Sequence, residues 1–243
     1  MYALNTKVFG HLINYDDFII ENRVHPELWE IAKNRVDWEE DYIMPERWDV
    51  ASKDDEGKIE SQSKYELCPD VYSFPLVTTK FCDDLVDEME HFGEWSGGKN
   101  EDSRLAGGYE NVPTVDIHMR QISFQEEWLH LLKTYVAPLA SYAYTGYHPD
   151  SKAIMNFVVR YHPKEQDHLR PHFDSSTFST NIALRRIGID FEGGGTRFVR
   201  YNCSITSQKQ GWILMHPGRL THWHEGLRVT KGVRYIAVSF VDP

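Results

Sequence analysis

The segment HLRPHFDSSTFS, residues 168–179, places an imidazole and a carboxylate one residue apart, at His172 and Asp174. On an extended chain, side chains two positions apart point to the same face, so these two groups can converge on one point. An imidazole nitrogen and a carboxylate oxygen are both common ligands of divalent metal ions. The pair therefore predicts two ligands of a metal site, which needs a third ligand from elsewhere in the chain.

The segment HPGRLTHWHEG, residues 216–226, offers candidates for that third ligand. His222 and His224 share one face of an extended segment, and His216 lies six residues before His222. Two histidines and one carboxylate, with the remaining coordination positions open, form the ligand set of non-haem Fe(II) oxygenases. The spacing favours such a site but does not distinguish His222 from His224.

Arg234 lies within an apolar, strand-like run, VRYIAVSFV, and alternates there with Ile236, Val238 and Phe240. A charged group on such a face is costly unless it has a partner. A guanidinium group binds a carboxylate through two parallel hydrogen bonds. Two interpretations follow: either an Asp or Glu of the chain pairs with Arg234, or a bound carboxylic acid does.

Several other polar residues lie in segments that are expected to surround this site. Tyr161 ends the run AIMNFVVRY and Asn181 interrupts an apolar run, so each is either a ligand contact or a structural hydrogen-bonding group. We expect packing or ligand-supporting roles for His118 and His216. Arg104 precedes the segment GGYENVPTVDIHMRQIS, which can reach the active centre, and it faces either the site or solvent.

Three helices are predicted in the N-terminal half. Residues 25–42 have helical composition, and residues 79–92 place Phe81, Leu85, Met89 and Phe92 at steps of four, four and three residues, which is the spacing of an amphipathic helix. Ser123 and Glu126 form a capping box that predicts the start of another helix. Pro138 is expected to kink or end it.

From Ala153 onward, five short β-rich runs separated by turn residues predict an antiparallel sandwich or jelly roll. We therefore expect one α+β domain over residues 1–243. Residues 150–243 form its double-stranded β-helix (jelly-roll) core and carry the metal site, and residues 1–149 form a supporting region of helices and loops. The triple glycine at 193–195 is expected to be a turn between strands, since no Lys-Ser or Lys-Thr follows it as in a phosphate-binding loop.

The composition restricts the partners of the chain. It has 37 acidic and 26 basic residues and a formal net charge of −11, which argues against nucleic acid and favours a basic substrate. No apolar run is long enough for a transmembrane helix, and the N-terminal residues MYALNTKVFG lack the apolar segment of a signal peptide. Cys68, Cys82 and Cys203 have no zinc-binding spacing, and they leave the cellular compartment open.

The sequence resembles a known family. The segments HLRPHFDSSTF, FEGGGTRFVRYNCSI, HPGRLTHWHEGL and RYIAVSFVDP are similar to the C-terminal catalytic domain of the procollagen lysyl hydroxylases, which are iron- and 2-oxoglutarate-dependent dioxygenases. The similarity extends to CPDVYSFP, EMEHFGEWS and GGYENVPTVDIHM, and so it covers the chain from about Val24 to Pro243. A match in so many separate segments is highly specific.

The resemblance implies a role for each site residue. His172, Asp174 and His224 would hold Fe(2+), and Arg234 would bind the distal carboxylate of the cosubstrate 2-oxoglutarate. Tyr161 and Asn181 would be further 2-oxoglutarate contacts. Several related dioxygenases have a serine two residues after the arginine, whereas this chain has Ile236, so the hydroxyl contact must come from elsewhere, with Tyr161 as the candidate.

The resemblance also implies the reaction. It is the hydroxylation of peptidyl lysine to 5-hydroxylysine at X-Lys-Gly sites of collagen-like chains, with O2 as oxidant and L-ascorbate as the reductant that rescues oxidised iron. A lysine substrate requires a carboxylate for its ammonium group, and Asp190, Glu192 and Glu225 flank the metal-binding segments. The alternatives are a prolyl hydroxylase of the same chemistry, a metal-bound but non-catalytic module that binds collagen, and a zinc hydrolase, which leaves Arg234 unexplained.

Three further properties follow from the resemblance. Cys68 and Cys203 would be paired and Cys82 free. The endoplasmic reticulum lumen would be the compartment. The chain would form a homodimer, in which the apolar residues Leu220 and Trp223 of an otherwise polar segment either contact the second subunit or shield the metal within one subunit.

Overall fold

A computed structural model describes residues 21–33, 36–50, 64–105, 107–108, 110–144 and 152–242. Thirteen strands are described in these ranges. They are β1 (Glu66–Cys68), β2 (Val71–Pro75), β3 (Asp116–His118), β4 (Lys152–Tyr161), β5 (Leu169–His172), β6 (Phe178–Ala183), β7 (Phe191–Gly193), β8 (Thr196–Phe198), β9 (Cys203–Ile205), β10 (Trp212–Pro217), β11 (His224–Gly226), β12 (Val229–Gly232) and β13 (Arg234–Asp242).

Two antiparallel sheets form the core of the fold. The major sheet has seven strands in the order β1-β2-β10-β6-β13-β4-β3, and the minor sheet has four in the order β5-β11-β8-β9. Strands β7 and β12 form a separate two-stranded ribbon. All of the pairings within the sheets are antiparallel, as expected for the C-terminal half. The sheet core is not confined to residues 150–243 as predicted, because β1, β2 and β3 of the N-terminal region add three strands to the major sheet.

The major sheet is apolar on both faces because each face packs against another layer. On β13, Ile236 and Val238 belong to an apolar cluster that also contains residues of β4 and faces the minor-sheet side. The intervening Ala237 belongs to the main core, together with the helices. Because side chains alternate along a strand, one face of β13 packs on the helices and the other forms a second apolar layer. Arg234 is two residues before Ile236 and four before Val238, so it lies on the face of this second layer.

The described α-helices are α1 (Val36–Tyr42), α2 (Thr79–Phe92), α3 (Gln125–Leu131) and α4 (Ala137–Ala143). Helix α2 has the predicted bounds, and its four apolar residues are buried. The Thr78 side chain caps its N-terminus by accepting a hydrogen bond from the Phe81 amide, and Gly93 ends it in the left-handed conformation at φ 71°. The Trp128 indole of α3 donates a 2.8 Å hydrogen bond to Ser239 of β13, which fixes this helix on the sheet. No described helix is long and apolar enough to cross a membrane.

The structure changes some details of the predicted helices. The helical stretch at 25–42 consists of a 3-10 helix, Pro26–Lys33, and α1. The prediction that a capping box at Ser123 begins a helix is wrong. Ser123 adopts a left-handed conformation, φ 54°, at the end of a 3-10 helix, and α3 begins only at Gln125.

Pro138 interrupts the helix as predicted. It lies in the first turn of α4, directly after the π-helical turn Leu132–Val136. Proline has no backbone N–H and its ring clashes with the preceding turn, so a locally wider turn accommodates it.

The predicted disulfide is present and joins the two sheets. Cys68 at the end of β1 is bonded to Cys203 at the start of β9, with a Cα–Cα distance of 6.1 Å, and Cys82 is a buried free thiol. Burial also raises the pKa of Cys82, which makes it chemically inert. The triple glycine at 193–195 forms the turn between β7 and β8, as predicted, and all three glycines have positive φ.

Candidate metal centre

The antiparallel pairing of β5 with β11 brings the candidate ligands together. His172 and His224 are directly opposite each other in the register of these strands, and their ring centroids are 4.3 Å apart. Asp174 lies just beyond the end of β5 and is buried. Each of the three residues offers one ligand atom, and these atoms all lie within 4.8 Å of one another. Two nitrogens and one oxygen at this separation can bind one divalent ion.

Backbone carbonyls orient both imidazoles. The Nδ1 of His172 donates to the carbonyl of Arg170, and the Nδ1 of His224 donates to the carbonyl of His222, each at 2.8 Å. These bonds assign the proton to Nδ1 and leave Nε2 as the ligand atom. In both rings Nε2 faces Asp174 Oδ1, at 3.2 Å from His172 and 3.8 Å from His224. A hydrogen bond to the second ring nitrogen is the usual way in which proteins fix a histidine ligand.

The electrostatics of the cluster suit a cation. Burial opposes ionisation of Asp174, but the imidazoles of His224 and His172 outweigh it and hold the pKa of this carboxyl well below its usual range. Burial lowers the pKa of His224 to about 3, so its ring is neutral at neutral pH. An ionised carboxylate and a neutral imidazole are the protonation states that bind a metal ion.

His222 is engaged elsewhere, which resolves the ambiguity between the two distal histidines in favour of His224. Its Nε2 donates to the carbonyl of Pro69 at 2.9 Å, and its Nδ1 contacts the Thr221 hydroxyl at 2.8 Å. With both ring nitrogens bonded in this way, neither is available to the cluster. His222 instead attaches the β11 segment to the turn between β1 and β2.

His216 and Asn181 form a supporting layer behind the cluster. His216 is fully buried on β10, and its Nδ1 donates to the carbonyl of Pro217 at 2.9 Å. Its Nε2 can therefore accept from the Asn181 amide, 3.3 Å away, and it lies 3.8 Å from Asp174 Oδ2. The expected supporting role of His216 agrees with this geometry. His118 is also buried, and its ring packs on Phe157 at 5.8 Å.

The cluster opens into a cavity of about 330 Å³ between the two sheets. Apolar residues of β4 and β13 line one wall, and the polar lining residues include His172, Asp174, His224, Asn181, Tyr161 and Arg234. A mostly apolar cavity with a few converging polar groups is the usual form of a small-molecule site. The structure thus brings the three predicted metal ligands and the three predicted 2-oxoglutarate contacts to one cavity.

Arg234 is buried in the wall of this cavity without an acidic partner among the described residues. It is 5% exposed, and its one described hydrogen bond is a 3.2 Å donation from Nη1 to the carbonyl of Gly195. Burial lowers its pKa, and no carboxylate of the described chain lies within salt-bridge distance. The interpretation in which an internal Asp or Glu neutralises Arg234 therefore finds no support, and a bound carboxylate is the fitting partner.

Tyr161 lies opposite Arg234 in the register of β4 and β13, and the guanidinium carbon is 5.6 Å from the centre of its ring. Burial raises the pKa of Tyr161 to about 12, so its hydroxyl remains a hydrogen-bond donor at neutral pH. A guanidinium and a neutral phenol side by side suit one end of a dicarboxylic acid. The chemistry of these side chains fits 2-oxoglutarate, and the His172-Asp174-His224 donor set fits Fe(II).

Comparisons with known proteins identify the family of the chain. Residues 22–148, just over half of the chain, match the family described as OGFOD2-like domain. The chain belongs to the OGFOD2-like domain family. It is also 56% identical over 243 residues to the multifunctional procollagen lysine hydroxylase and glycosyltransferase LH3 of Rattus norvegicus, a match that covers 100% of this chain and 32% of the relative. The resemblance to the procollagen lysyl hydroxylases is thereby confirmed.

A second relative, procollagen-lysine,2-oxoglutarate 5-dioxygenase 1 of Gallus gallus, is 54% identical over 100% of this chain and 32% of its own length. The chain therefore spans about a third of the length of the curated relatives it matches.

Solved structures confirm the double-stranded β-helix fold. A prolyl hydroxylase from Trichoplax adhaerens, in complex with a peptide fragment of hypoxia inducible factor, has a TM-score of 0.51 and 11% identity over 70% of this chain and 82% of that chain. A non-haem alpha-ketoglutarate-dependent carbocyclase from nogalamycin biosynthesis has a TM-score of 0.50 and 11% identity over 77% and 85%. At this identity the comparison supports the fold alone.

The sequence did not point to Glu110, which is the one acidic residue besides Asp174 among the described lining residues of the cavity. It lines the cavity together with Asn111, Val112 and Thr114 of the segment before β3. The sequence signal was the glycine-rich segment itself, which was expected to reach the active centre. Nothing in the local pattern of GGYENVP distinguishes a cavity-facing glutamate from a solvated one.

We expect alanine at His172, Asp174 or His224 to abolish activity and to weaken Mn(II) binding by more than about tenfold, because two remaining ligands cannot fix the ion. Electron paramagnetic resonance of bound Mn(II) measures the affinity. His222→Ala is the matched control and should retain ion binding and part of the activity. If His222→Ala were inactive and His224→Ala active, the ligand assignment would be wrong.

We expect Arg234→Ala to raise the Kd for 2-oxoglutarate at least tenfold, because it removes a charged, two-point contact worth on the order of 1.5–3 kcal/mol. Mn(II) binding should be retained, since Arg234 is not in the ligand cluster. Titration with 2-oxoglutarate in the presence of Mn(II) measures both quantities. An unchanged Kd for 2-oxoglutarate would contradict the role of Arg234.

Proposed function

We propose that the chain is the catalytic domain of a procollagen lysyl hydroxylase, an Fe(II)- and 2-oxoglutarate-dependent dioxygenase that converts peptidyl lysine in collagen-like chains to 5-hydroxylysine. One observation carries the proposal: the two-histidine, one-carboxylate cluster and the buried, unpaired Arg234 line the same cavity. The kinship with lysyl hydroxylases supports lysine as the amino acid that is modified.

The role of the chain is to hold and orient the reactants. When bound, Fe(II) and 2-oxoglutarate supply the oxidising chemistry, in which O2 provides the hydroxyl oxygen and 2-oxoglutarate is converted to succinate and carbon dioxide. Arg234 and Tyr161 bind the distal carboxylate of 2-oxoglutarate. Asn181, whose amide lies 3.3 Å from His216 Nε2, is a further 2-oxoglutarate contact in the same cavity. The apolar walls from β4 and β13 exclude water from the reacting atoms. L-ascorbate belongs to the proposal as the reductant that restores Fe(II).

The alternatives are less well supported. A prolyl hydroxylase shares the fold with the chain at 11% identity, whereas the lysyl hydroxylase relatives are 53–56% identical over the whole chain. A non-catalytic collagen-binding module or a zinc hydrolase gives no reason for a buried guanidinium beside the ligand cluster. Metal content and succinate release with a lysine peptide distinguish these alternatives.

We further propose that the chain forms a homodimer through the loop before β11. Leu220 is 84% exposed, and it adopts a left-handed conformation, φ 67°, which is unusual for a residue with a branched side chain. Trp223, in contrast, packs against Phe173 with ring centroids 4.6 Å apart, beside the ligand Asp174. These contacts suggest that Trp223 shields the metal site and that Leu220 is the residue left for a second subunit.

Light scattering tests the homodimer. We expect the wild type to be a dimer and Leu220→Asp to be largely monomeric, because a buried apolar contact would be replaced by a charge. Ile189→Asp is the matched control, since Ile189 is a similarly exposed apolar residue on a different turn, at 71% exposure. A monomeric wild type would rule out the homodimer.

The substrate prediction concerns the state of the collagen-like chain. A single-chain X-Lys-Gly peptide can enter a narrow cavity, whereas a folded triple helix has its three backbones packed around a common axis. We expect hydroxylation of the single-chain peptide, little reaction with the triple helix, and slower turnover as salt screens the attraction between an acidic surface and a basic peptide.

Product mass spectrometry measures the outcome as one added oxygen on lysine, matched by succinate. Oxygen on proline would support the prolyl hydroxylase alternative instead. Equal rates on the single-chain and triple-helical peptides would contradict the prediction that only a single chain enters the cavity.

A further inference from the structure

The carboxylates first considered for the substrate lysine are already paired. Asp190 accepts hydrogen bonds from Arg186, with an oxygen 2.9 Å from the guanidinium. Glu192 pairs with Lys231 at 2.8 Å, and Glu225 pairs with Arg197 at 3.0 Å. None of the three lines the cavity beside the ligand cluster. A carboxylate that binds an incoming ammonium group must be sought elsewhere.

Two carboxylates of the described chain line the cavity, Asp174 and Glu110. Asp174 belongs to the ligand cluster and is committed to the metal ion. Glu110 is half-buried and has no described basic side chain within salt-bridge distance. It is therefore the one acidic group of the described cavity wall that remains available to a cation.

The surroundings of Glu110 are negatively charged. The carboxylates of Asp102 and Asp116 act on it, and the Arg104 guanidinium partly offsets them. The Arg104 guanidinium is already shared by those two aspartates, with contacts of 2.5 Å to Asp102 and 2.8 Å to Asp116. Three carboxylates thus face one guanidinium, and His118 adds no charge because burial lowers its pKa to about 4. Glu110 therefore has no described cation of its own, and a substrate ammonium group can pair with it.

Burial and the neighbouring Asp116 and Asp102 carboxylates raise the pKa of Glu110 to about 7. A hydrogen bond from the Thr114 backbone amide and the charge of Arg104 favour the ionised form, but burial and the two aspartates outweigh them. An ammonium group beside Glu110 would favour the ionised form.

The backbone holds Glu110 in a fixed position. Its amide donates to the carbonyl of Asn100 at 2.7 Å, and the Asn100 side chain donates back to the Glu110 carbonyl at 2.8 Å. The Arg170 side chain on β5 donates to the carbonyl of the next residue, Asn111. The bonds with Asn100 therefore fix the backbone of Glu110 itself, and the bond from Arg170 attaches the next residue to the strand that carries His172. A group that positions a substrate requires such a fixed backbone.

We propose that Glu110 binds the ε-ammonium group of the substrate lysine and thereby selects lysine over uncharged side chains. This inference rests on the proposed function, and it adds the residue that determines specificity. Because the carbon to be hydroxylated is two bonds from the lysine nitrogen, fixing the ammonium group restricts where that carbon can lie. The cavity wall then carries two charged groups of opposite sign, with Arg234 for the carboxylate of 2-oxoglutarate and Glu110 for the ammonium group.

Peptide binding tests the proposal without requiring turnover. A fluorescent collagen-like peptide with one lysine is compared with the same peptide containing norleucine, which has the same carbon chain but no ammonium group. The protein carries Fe(II) and 2-oxoglutarate under anaerobic conditions, and anisotropy gives the Kd. We expect the wild type to bind the lysine peptide at least about tenfold more tightly, as for a charged hydrogen bond.

Glu110→Gln should remove this preference by weakening binding of the lysine peptide while leaving the norleucine peptide close to its wild-type Kd. Glu110→Asp, which keeps the charge, should retain a part of it. The matched control is Glu192→Gln, whose carboxylate pairs with Lys231 outside the cavity, and it should keep the full preference.

A preference of tenfold or more in Glu110→Gln, or no preference in the wild type, would overturn the proposal. The proposed function is judged separately by 5-hydroxylysine formation in air. A wild type that prefers the lysine peptide but forms no hydroxylysine would refute the catalytic function, and loss of that preference in Glu110→Gln would still support Glu110 as the ammonium-binding residue.

Discussion

The site depends on the register of one pair of short strands. His172 on β5 faces His224 on β11, and a shift of either strand by one residue would turn its histidine to the opposite face of the minor sheet. Three features maintain this register: the carbonyl hydrogen bonds to each Nδ1, the pairing of β11 with β8 on its other side, and the bond from His222 to the Pro69 carbonyl. A cluster assembled from residues about fifty positions apart is thereby held by backbone geometry rather than by the ion.

The second constraint is electrostatic. Arg234 occupies the first position of a strand that is otherwise apolar on the cavity face, and the described chain gives it one carbonyl and no carboxylate. Burial of an unpaired guanidinium costs several kcal/mol in proteins, so the fold keeps a destabilised group where an anionic cosubstrate restores the balance. Glu110 is the corresponding group for a positively charged substrate, as Arg234 is for an anionic cosubstrate. Arg234 and Glu110 thus each destabilise the protein that has no bound reactants, as is common at functional sites.

Much of this arrangement could be predicted from local patterns. The alternation around Arg234, the helical spacing of α2 and the pair His172 and Asp174 each follow from the period of a strand or helix. Long-range partners could not be predicted in that way. The choice between His222 and His224 depended on the Pro69 carbonyl, which is 153 positions from His222 in sequence. The same limit explains why Ser123 was misassigned, since the 3-10 turn before it is not visible in the capping pattern, and why Glu110 was missed.

The disulfide joins the two sheets covalently at one side of the sandwich but not at the other. Strands β1 and β9 are edge strands of the major and minor sheets, and the bond between Cys68 and Cys203 fastens them covalently. The other edge strands are β3 and β5, and hydrogen bonds alone are described between the segments that lead into them. Arg170 donates to the carbonyl of Asn111, and the Gln166 side chain accepts from the Val115 amide and donates to the Pro113 carbonyl. Any widening of the cavity for a bulky peptide would therefore cost less at the β3 and β5 edge, where hydrogen bonds have to break, than at the edge that the covalent bond closes.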